Sequence, residues 1–136
     1  MPTLPATGDT PLIRTDFSDE GAWQALVRAA TAANEDGFRA YLAILDDPGF
    51  AGMAAAELAA LAQGTGHACL IVADAKAVAD AEHPLLCIER AAPQRSFRVI
   101  PAELWGVENN LSIANMDFED FADAVAEDGV FRGFPF

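Results

Sequence analysis

The chain has 136 residues, of which 52% are apolar, and a formal net charge of −13. This length favours one domain with a substantial core, and the apolar content excludes disorder for the body of the chain. The strong negative charge argues against nucleic acid and against an anionic membrane surface as partners, because both need a basic patch.

The first ten residues, M-P-T-L-P-A-T-G-D-T, are rich in proline and threonine and predict a flexible N-terminal tail over residues 1–10. They contain neither the basic region nor the apolar core of a signal peptide. No apolar run of the sequence approaches the roughly 18–20 residues that span a bilayer. We therefore expect a cytoplasmic protein with a single α/β domain over residues 11–136.

Strands and helices alternate in the first half of the domain. The continuous apolar run A-C-L-I-V-A is typical of a strand that is buried on both faces, which favours a central parallel strand. The predicted strands cover residues 11–15, 38–45 and 68–73, one predicted helix is capped by Asp16 or Ser18, and a second covers residues 53–63.

Two further strands are predicted in the second half, over residues 85–89 and 96–100, after a short connection. Only six residues separate them and one is Pro93, so we expect an antiparallel hairpin. The fold class that follows is α/β, a single-domain sandwich with a mixed sheet of about five strands, the first three parallel, and about three helices.

Side chains that need specific partners are concentrated between Glu103 and Phe121, in E-L-W-G-V-E-N-N-L-S-I-A-N-M-D-F-E-D-F. Asn109 and Asn110 predict a turn in an irregular stretch, because asparagine tolerates left-handed backbone and bonds nearby amides. Apolar anchors are expected to dock this stretch onto the core, namely Leu104, Trp105, Val107, Leu111 and Ile113.

An acidic helix is predicted after this stretch. Asp117 is the expected N-cap, with Asp120 three residues later in a capping-box position. The apolar stripe of the helix continues to Val125, and Gly129 is the expected C-terminal stop.

The run from Glu103 to Phe121, followed by D-G-V-F-R-G-F, resembles the C-terminal signature E-L-W-x-V-E-N-N-L-S-I-A-N-M-D-F-x-x-F of a family of small, uncharacterised, largely actinobacterial proteins. The string I-R-T-D-F-S-D-E-G-A-W and the string D-D-P-x-F-A-G from Asp46 to Gly52 resemble earlier parts of that family. The resemblance covers nearly the whole chain after the first ten residues. The family is a domain of unknown function, so the resemblance implies no activity.

Carboxylates follow the ends of the three strands that we expect to be parallel. The carboxyl ends of parallel strands meet at one sheet edge, where α/β proteins bind ligands. Such carboxylates could hold Mg²⁺ or Ca²⁺, or could be ordinary caps and turn residues. The residues concerned are Asp16, Asp46, Asp47 and Asp74.

Sequence motifs for other chemistry are missing. The sequence has neither a G-x-G-x-x-G nor a lysine-containing phosphate loop, and no serine lies in G-x-S-x-G. Cys69 and Cys87 lie in apolar runs, which predicts buried free thiols; a Cys69–His67 pair is the alternative.

No lysine or arginine occurs between Val99 and Phe131, although the segment is rich in carboxylates. These carboxylates either pair within the chain, with Arg14, Arg98 or Arg132, or face a basic protein partner. We expect the asparagines to hold the backbone while Glu108 and the acidic helix face outward. The predicted binding residues are Trp105, Glu108, Asn109, Asn110, Asn115, Asp117, Asp120 and Asp123.

The interpretation is a non-catalytic acidic module that binds or regulates a protein, similar to immunity or antitoxin proteins by analogy only, with no cofactor. The alternative is an enzyme or receiver-like module that depends on a divalent cation, Mg²⁺ or Ca²⁺, at the aspartate edge. The sequence leaves the oligomeric state open.

Overall fold

A mixed β-sheet with helices on both faces forms the domain. The computed structural model describes residues 2–91 and 94–134, and within them the sheet has six strands. The strands are β1 (Thr10–Arg14), β2 (Leu42–Leu45), β3 (Cys69–Ala73), β4 (Leu85–Glu89), β5 (Ser96–Val99) and β6 (Val130–Phe131). The helices are α1 (Glu20–Thr31), α2 (Ala55–Leu61), α3 (Ala75–Ala79), α4 (Leu104–Ser112) and α5 (Phe118–Ala122), with 3-10 turns at Pro48–Phe50 and Pro101–Glu103.

The strand order is β2-β1-β3-β4-β5-β6. β1 pairs in parallel with both β2 and β3, β4 is antiparallel to β3 and β5, and β6 is parallel to β5. The α/β class, the three parallel strands and the β4–β5 hairpin are thereby confirmed. The sixth strand was not predicted because two residues are too few for an alternating pattern.

The core lies on both faces of the sheet. On one face α1, α3, α4 and α5 enclose the larger apolar cluster, in which Trp23, Leu26 and Phe121 are almost completely buried. On the other face α2 and the Pro48–Phe50 turn cover a smaller cluster around Leu58. Burying one side chain of this size stabilises the fold by about 1.5–3 kcal/mol. α4 and α5 are thus held by the larger cluster.

The segment for which the sequence predicts a tail contacts the domain. Leu4 is buried in the smaller cluster, the Nε2 atom of His67 lies 3.1 Å from the carbonyl oxygen of Pro5, and Thr10 is the first residue of β1. Met1, residues 92 and 93, and residues 135 and 136 lie outside the described residues. The mobility of the segment in solution stays a prediction.

Two boundaries in the first half of the chain differ from prediction. The cap of α1 is Asp19, which accepts a hydrogen bond from the amide of Ala22. Neither Asp16 nor Ser18 caps the helix, because the amide and hydroxyl of Ser18 bond to the Asp16 carboxylate. β2 begins only at Leu42, because the Arg39 carbonyl and the Tyr41 amide bond to side chains of α4, although the Tyr41 carbonyl still accepts from the Thr10 amide of β1.

The prediction of an irregular stretch after Glu103 is wrong. This segment forms α4, and both Asn109 and Asn110 lie inside the helix rather than in a turn. Ile113, expected to be an anchor, is 74% exposed. The helix forms because its apolar residues recur at helical spacing over the sheet, which outweighs the low helix propensity of asparagine and glycine.

The acidic helix is shorter than predicted. Asp117 precedes α5 and its amide donates to Asp120 at 2.8 Å, as expected for a capping box, but α5 ends at Ala122 with Asp123 as its C-cap. Gly129, with φ of 81°, belongs to the turn before β6 instead. Asp123 and Glu127 therefore are not neighbours on a helix. No helix of the described residues has the length and apolar character to cross a bilayer.

Candidate functional site

α4 is the element that brings the predicted binding residues to the surface. Leu104, Val107 and Leu111 recur at i, i+3 and i+7 and are buried against the sheet. Trp105 and Asn109 lie one turn apart on the opposite side, where both are partly exposed. The helix thus presents a mixed aromatic and amide face.

Glu108 is the exception to the outward orientation that the sequence predicts. Its side chain is buried, and the residue is only 3% exposed. Its Oε1 accepts from the amide of Tyr41 at 2.7 Å and from Asn109 Nδ2 at 3.2 Å. Its Oε2 accepts from the hydroxyl of Thr10 at 2.9 Å and from the hydroxyl of Ser112. A buried carboxylate is stable only with such donors, so Glu108 joins α4 to β1 and to residues 38–41.

A shallow pocket of about 310 Å³ lies over this carboxylate, between α4 and the chain before β1. Gly8, Asp9 and Tyr41 form one side, and Asn109, Ser112 and Ile113 the other. Each oxygen of Glu108 already accepts two hydrogen bonds, so this carboxylate is poorly placed to bind a metal ion or to act as a base.

Exposed aromatic and aliphatic side chains surround the outer face of α4. The rings of Phe38 and Trp105 stack with centroids 5.1 Å apart and planes at 15°. Phe38 is 51% exposed and Tyr41 52%. Of the four large apolar residues that are well exposed in the described chain, only Ile44 lies elsewhere, on β2. We call Phe38, Tyr41, Trp105, Asn109 and Ile113 the α4 surface.

A second pocket, of about 440 Å³, lies on the other flank of α4. Four of its nine lining residues are aromatic, and three, Glu103, Asn110 and Arg132, are polar or charged. We call it the aromatic pocket; it is lined by Glu103, Trp105, Gly106, Asn110, Phe121, Phe131, Arg132, Gly133 and Phe134.

The asparagines of the segment bond to backbone and to each other. Asn109 Nδ2 donates to the carbonyl of Arg39 at 3.0 Å, and Asn110 Nδ2 donates to the carbonyl of Gly106 at 2.7 Å. Asn115 Nδ2 reaches Asn110 Oδ1 at 2.8 Å. These bonds fix the turn after α4 and the approach of residues 38–41.

Acidic residues around α5 are partly paired within the chain. Glu119 contacts Arg95 at 2.9 Å, and Asp128 contacts Arg132 at 2.7 Å. Of Arg14, Arg98 and Arg132, the three arginines that the sequence offered as partners for these carboxylates, Arg132 forms such a pair, with Asp128. Asp123 is exposed at the end of α5.

Arginines occupy the aspartate edge of the sheet. Arg14, itself 3% exposed, donates to Asp46 at 3.1 Å and to Glu20 at 3.0 Å. Arg98 binds both oxygens of Asp74, at 2.9 and 2.7 Å. Burial alone would raise the pKa of Asp74, but the hydrogen bonds from Arg98 and the Ala77 amide outweigh it and lower that pKa.

The carboxylates of the other two aspartates of this edge accept hydrogen bonds from nearby residues. Asp47 accepts from the amide of Gly49 at 2.8 Å, and Asp16 accepts from Ser18, which lowers the pKa of Asp16. Among the described residues, no three histidine, cysteine, aspartate or glutamate side chains form a group that could hold a metal ion.

The two thiols are buried and free, as predicted. A hydrogen bond with Cys69, together with burial, raises the pKa of the Cys87 thiol. His67 contacts the carbonyl of Pro5 through Nε2. A buried thiol with a raised pKa is a poor nucleophile.

Sequence reasoning did not identify Phe38 and Tyr41, which it assigned to a strand over residues 38–45, and it did not predict that Glu103 lines a pocket. Two aromatic residues directly after Gly37 and before the short strand β2 were the available signal. The partners of these residues lie on α4, far along the chain, so local periodicity could not identify them.

Comparison with known proteins gives a family and no activity. A search of curated proteins finds no match. A family model described as "Domain of unknown function (DUF6924)" matches residues 9–134, which include the whole sheet and all five helices. The chain therefore belongs to this family of unknown function.

Proposed function

We propose that the protein is a non-catalytic binding module that uses the α4 surface to hold a basic protein partner. The observation that supports it best is the exposed group of Phe38, Tyr41 and Ile113 around a helix whose other side is buried against the core. Aromatic residues are enriched at protein interfaces because they bury a large area with few rotatable bonds. A rigid helix face also loses little entropy on binding.

The charge of the partner follows from the charge of the chain. The net charge is −13, and an acidic residue lines the pocket on each flank of α4, Asp9 on one side and Glu103 on the other. Arg39 places one positive charge at the α4 surface, with its guanidinium 5.3 Å from the ring of Tyr41, but the net negative charge of the chain outweighs it. Complementary charge speeds association and selects among partners, so a basic partner is favoured.

The test is capture of partners from a lysate of the source cells by the immobilised chain. Ile113→Arg places a bulky cation on the α4 surface, and Ile44→Arg is the matched control on β2. We expect a basic protein that the wild type and the control retain, that Ile113→Arg loses, and that salt releases.

Two results would contradict the proposal. One is a retained protein that is not basic, or that Ile113→Arg binds as well as the wild type does. The other is a homodimer, measured by light scattering, that Ile113→Arg dissociates, because the α4 surface would then bind a second copy of the chain.

The alternative of a divalent-cation enzyme or receiver-like module has less support. It needs Asp46 and Asp74 as ligands, and Arg14 and Arg98 already neutralise them. That the string from Glu103 to Phe121 is the signature of the family, and that the family is largely actinobacterial, also stay predictions.

A further inference from the structure

The aromatic pocket has walls that suit a cation. Trp105 and Phe134 are its partly exposed aromatic residues, and the almost completely buried Phe121 and Phe131 also line it. The rings of Phe121, Phe131 and Phe134 touch one another, with centroids 5.3, 5.6 and 5.0 Å apart. The face of an aromatic ring carries negative electrostatic potential and attracts ammonium groups within about 6 Å. The volume of about 440 Å³ is in the range of ligand pockets.

Glu103 supplies a negative charge at the wall of this pocket. Its carboxylate lies over the backbone of Gly133, where a Cβ atom would stand 2.8 Å from Oε1, and Gly133 has a φ of 103°. The side chain makes no capping bond to α4. A half-buried carboxylate of this kind favours a cationic ligand.

Arg132 also lines the pocket, but its charge is compensated. Its guanidinium binds Glu82 with two contacts of 2.9 Å, and binds Asp128 at 2.7 and 3.2 Å. Arg132 is therefore paired with two carboxylates that do not line the pocket, and Glu103 is the acidic residue among the lining residues. The local field remains attractive for a cation.

We propose that the aromatic pocket binds the side-chain ammonium of a lysine, with Glu103 as counter-ion and with Trp105 and Phe134 beside its methylene groups. The lysine belongs to the basic partner, and in that respect alone the proposal rests on the proposed function. The pocket and the α4 surface share Trp105, so one partner can occupy both.

The test needs no partner. Nα-acetyl-lysine methylamide is titrated into the full chain labelled with nitrogen-15, and the Trp105 indole and the Gly106 and Gly133 amides are followed by NMR. Nα-acetyl-norleucine methylamide, which has a similar chain without the ammonium, is the matched ligand. We expect saturable shifts at these groups for the lysine probe, and an affinity at least about threefold lower for the norleucine probe.

Glu103→Gln should weaken the lysine probe by about three- to tenfold and leave the norleucine probe unchanged. Glu127→Gln, which removes an exposed carboxylate outside the pocket, is the control and should change neither. A dispersed spectrum shows that each variant is folded.

Three outcomes would overturn the proposal. The first is equal binding of the two probes, and the second is no shift at the pocket with either probe. The third is binding only after removal of residues 135 and 136, which would mean that these residues occupy the pocket. If the lysine probe does not bind the aromatic pocket, the proposal that the α4 surface binds a basic partner still stands. Conversely, loss of capture by Ile113→Arg does not depend on the lysine probe.

Discussion

Glu108 allows a quantitative test of how α4 is held. Its two oxygens have different partners: Oε1 accepts from fixed donors, the Tyr41 amide and Asn109 Nδ2, whereas Oε2 accepts from the hydroxyls of Thr10 and Ser112. A hydroxyl can turn to accept a hydrogen bond, and an amide cannot. Replacement by glutamine and replacement by alanine should therefore differ strongly.

Glu108→Gln can place its carbonyl oxygen at Tyr41 and Asn109 and its NH₂ group at the two hydroxyls. We expect it to lower the free energy of unfolding by about 1 kcal/mol, for the lost charge-assisted bonds. Glu108→Ala leaves the half-buried amide of Tyr41 without its acceptor, which costs about 1–3 kcal/mol, and it adds a cavity; the Thr10 hydroxyl keeps the Ser112 hydroxyl as a neighbour at 3.3 Å. A total of about 2–4 kcal/mol is expected.

The assay is urea denaturation followed by tryptophan fluorescence. The buried Trp23 reports on the core, and the exposed Glu127→Ala is the control, which should change stability by less than about 0.5 kcal/mol. If Glu108→Gln lowers the free energy of unfolding as much as Glu108→Ala does, the Thr10 and Ser112 hydroxyls do not turn to accept hydrogen bonds from the glutamine NH₂ group. The hydrogen bonding that we assign to Glu108 would then be wrong. If Glu108→Ala costs less than about 1 kcal/mol, the network does not hold α4.

Three further predictions concern the strand edge and the thiols. Because the pKa of Asp74 is lowered in the fold, its ion pair with Arg98 stabilises the protein above about pH 4, and this stabilisation is lost as the pH falls through the folded pKa. Arg98→Ala should therefore lower the free energy of unfolding by about 2 kcal/mol at neutral pH and progressively less below about pH 4. A loss of stability that does not depend on pH in urea melts would contradict this. Cys69 and Cys87 should react with a thiol reagent at least about a hundredfold more slowly in the native protein than in urea, and rapid native labelling would show that β3 or β4 opens. Millimolar Mg²⁺ or Ca²⁺ should leave the melting temperature of the wild type within about 1 °C, because arginines neutralise the edge; a larger rise that Asp16→Asn abolishes would restore the metal site.

The sheet was largely predictable because its central strands are short apolar runs. C-L-I-V-A reads as a strand without any knowledge of its neighbours, and the hairpin follows from the short loop between β4 and β5. The position of β2 was harder to predict. Residues 38–41 have strand-like composition, but Glu108 binds the Tyr41 amide and Asn109 binds the Arg39 carbonyl.

The sequence predicted where the candidate site lies but did not predict its helical conformation. Trp105, Asn109 and Asn110 were recognised as residues that need partners, and they do lie together on one element. Their helical conformation was missed because glycine and asparagine weaken the local signal and tertiary packing supplies the difference. The burial of Glu108 could not be predicted, because its donors at Thr10 and Tyr41 are far away in sequence.

The reach of those contacts has a consequence for the order in which the molecule assembles. The bond from Thr10 to Glu108 spans 98 residues, and the bond from Tyr41 spans 67. Contacts of such separation carry a large loop-closure cost and form late. A chain that is still being synthesised has β1 and the aromatic residues near β2 long before α4 exists to receive them. During synthesis Phe38 and Tyr41 are therefore unsupported hydrophobic residues, and only the finished chain converts them into a surface of defined shape.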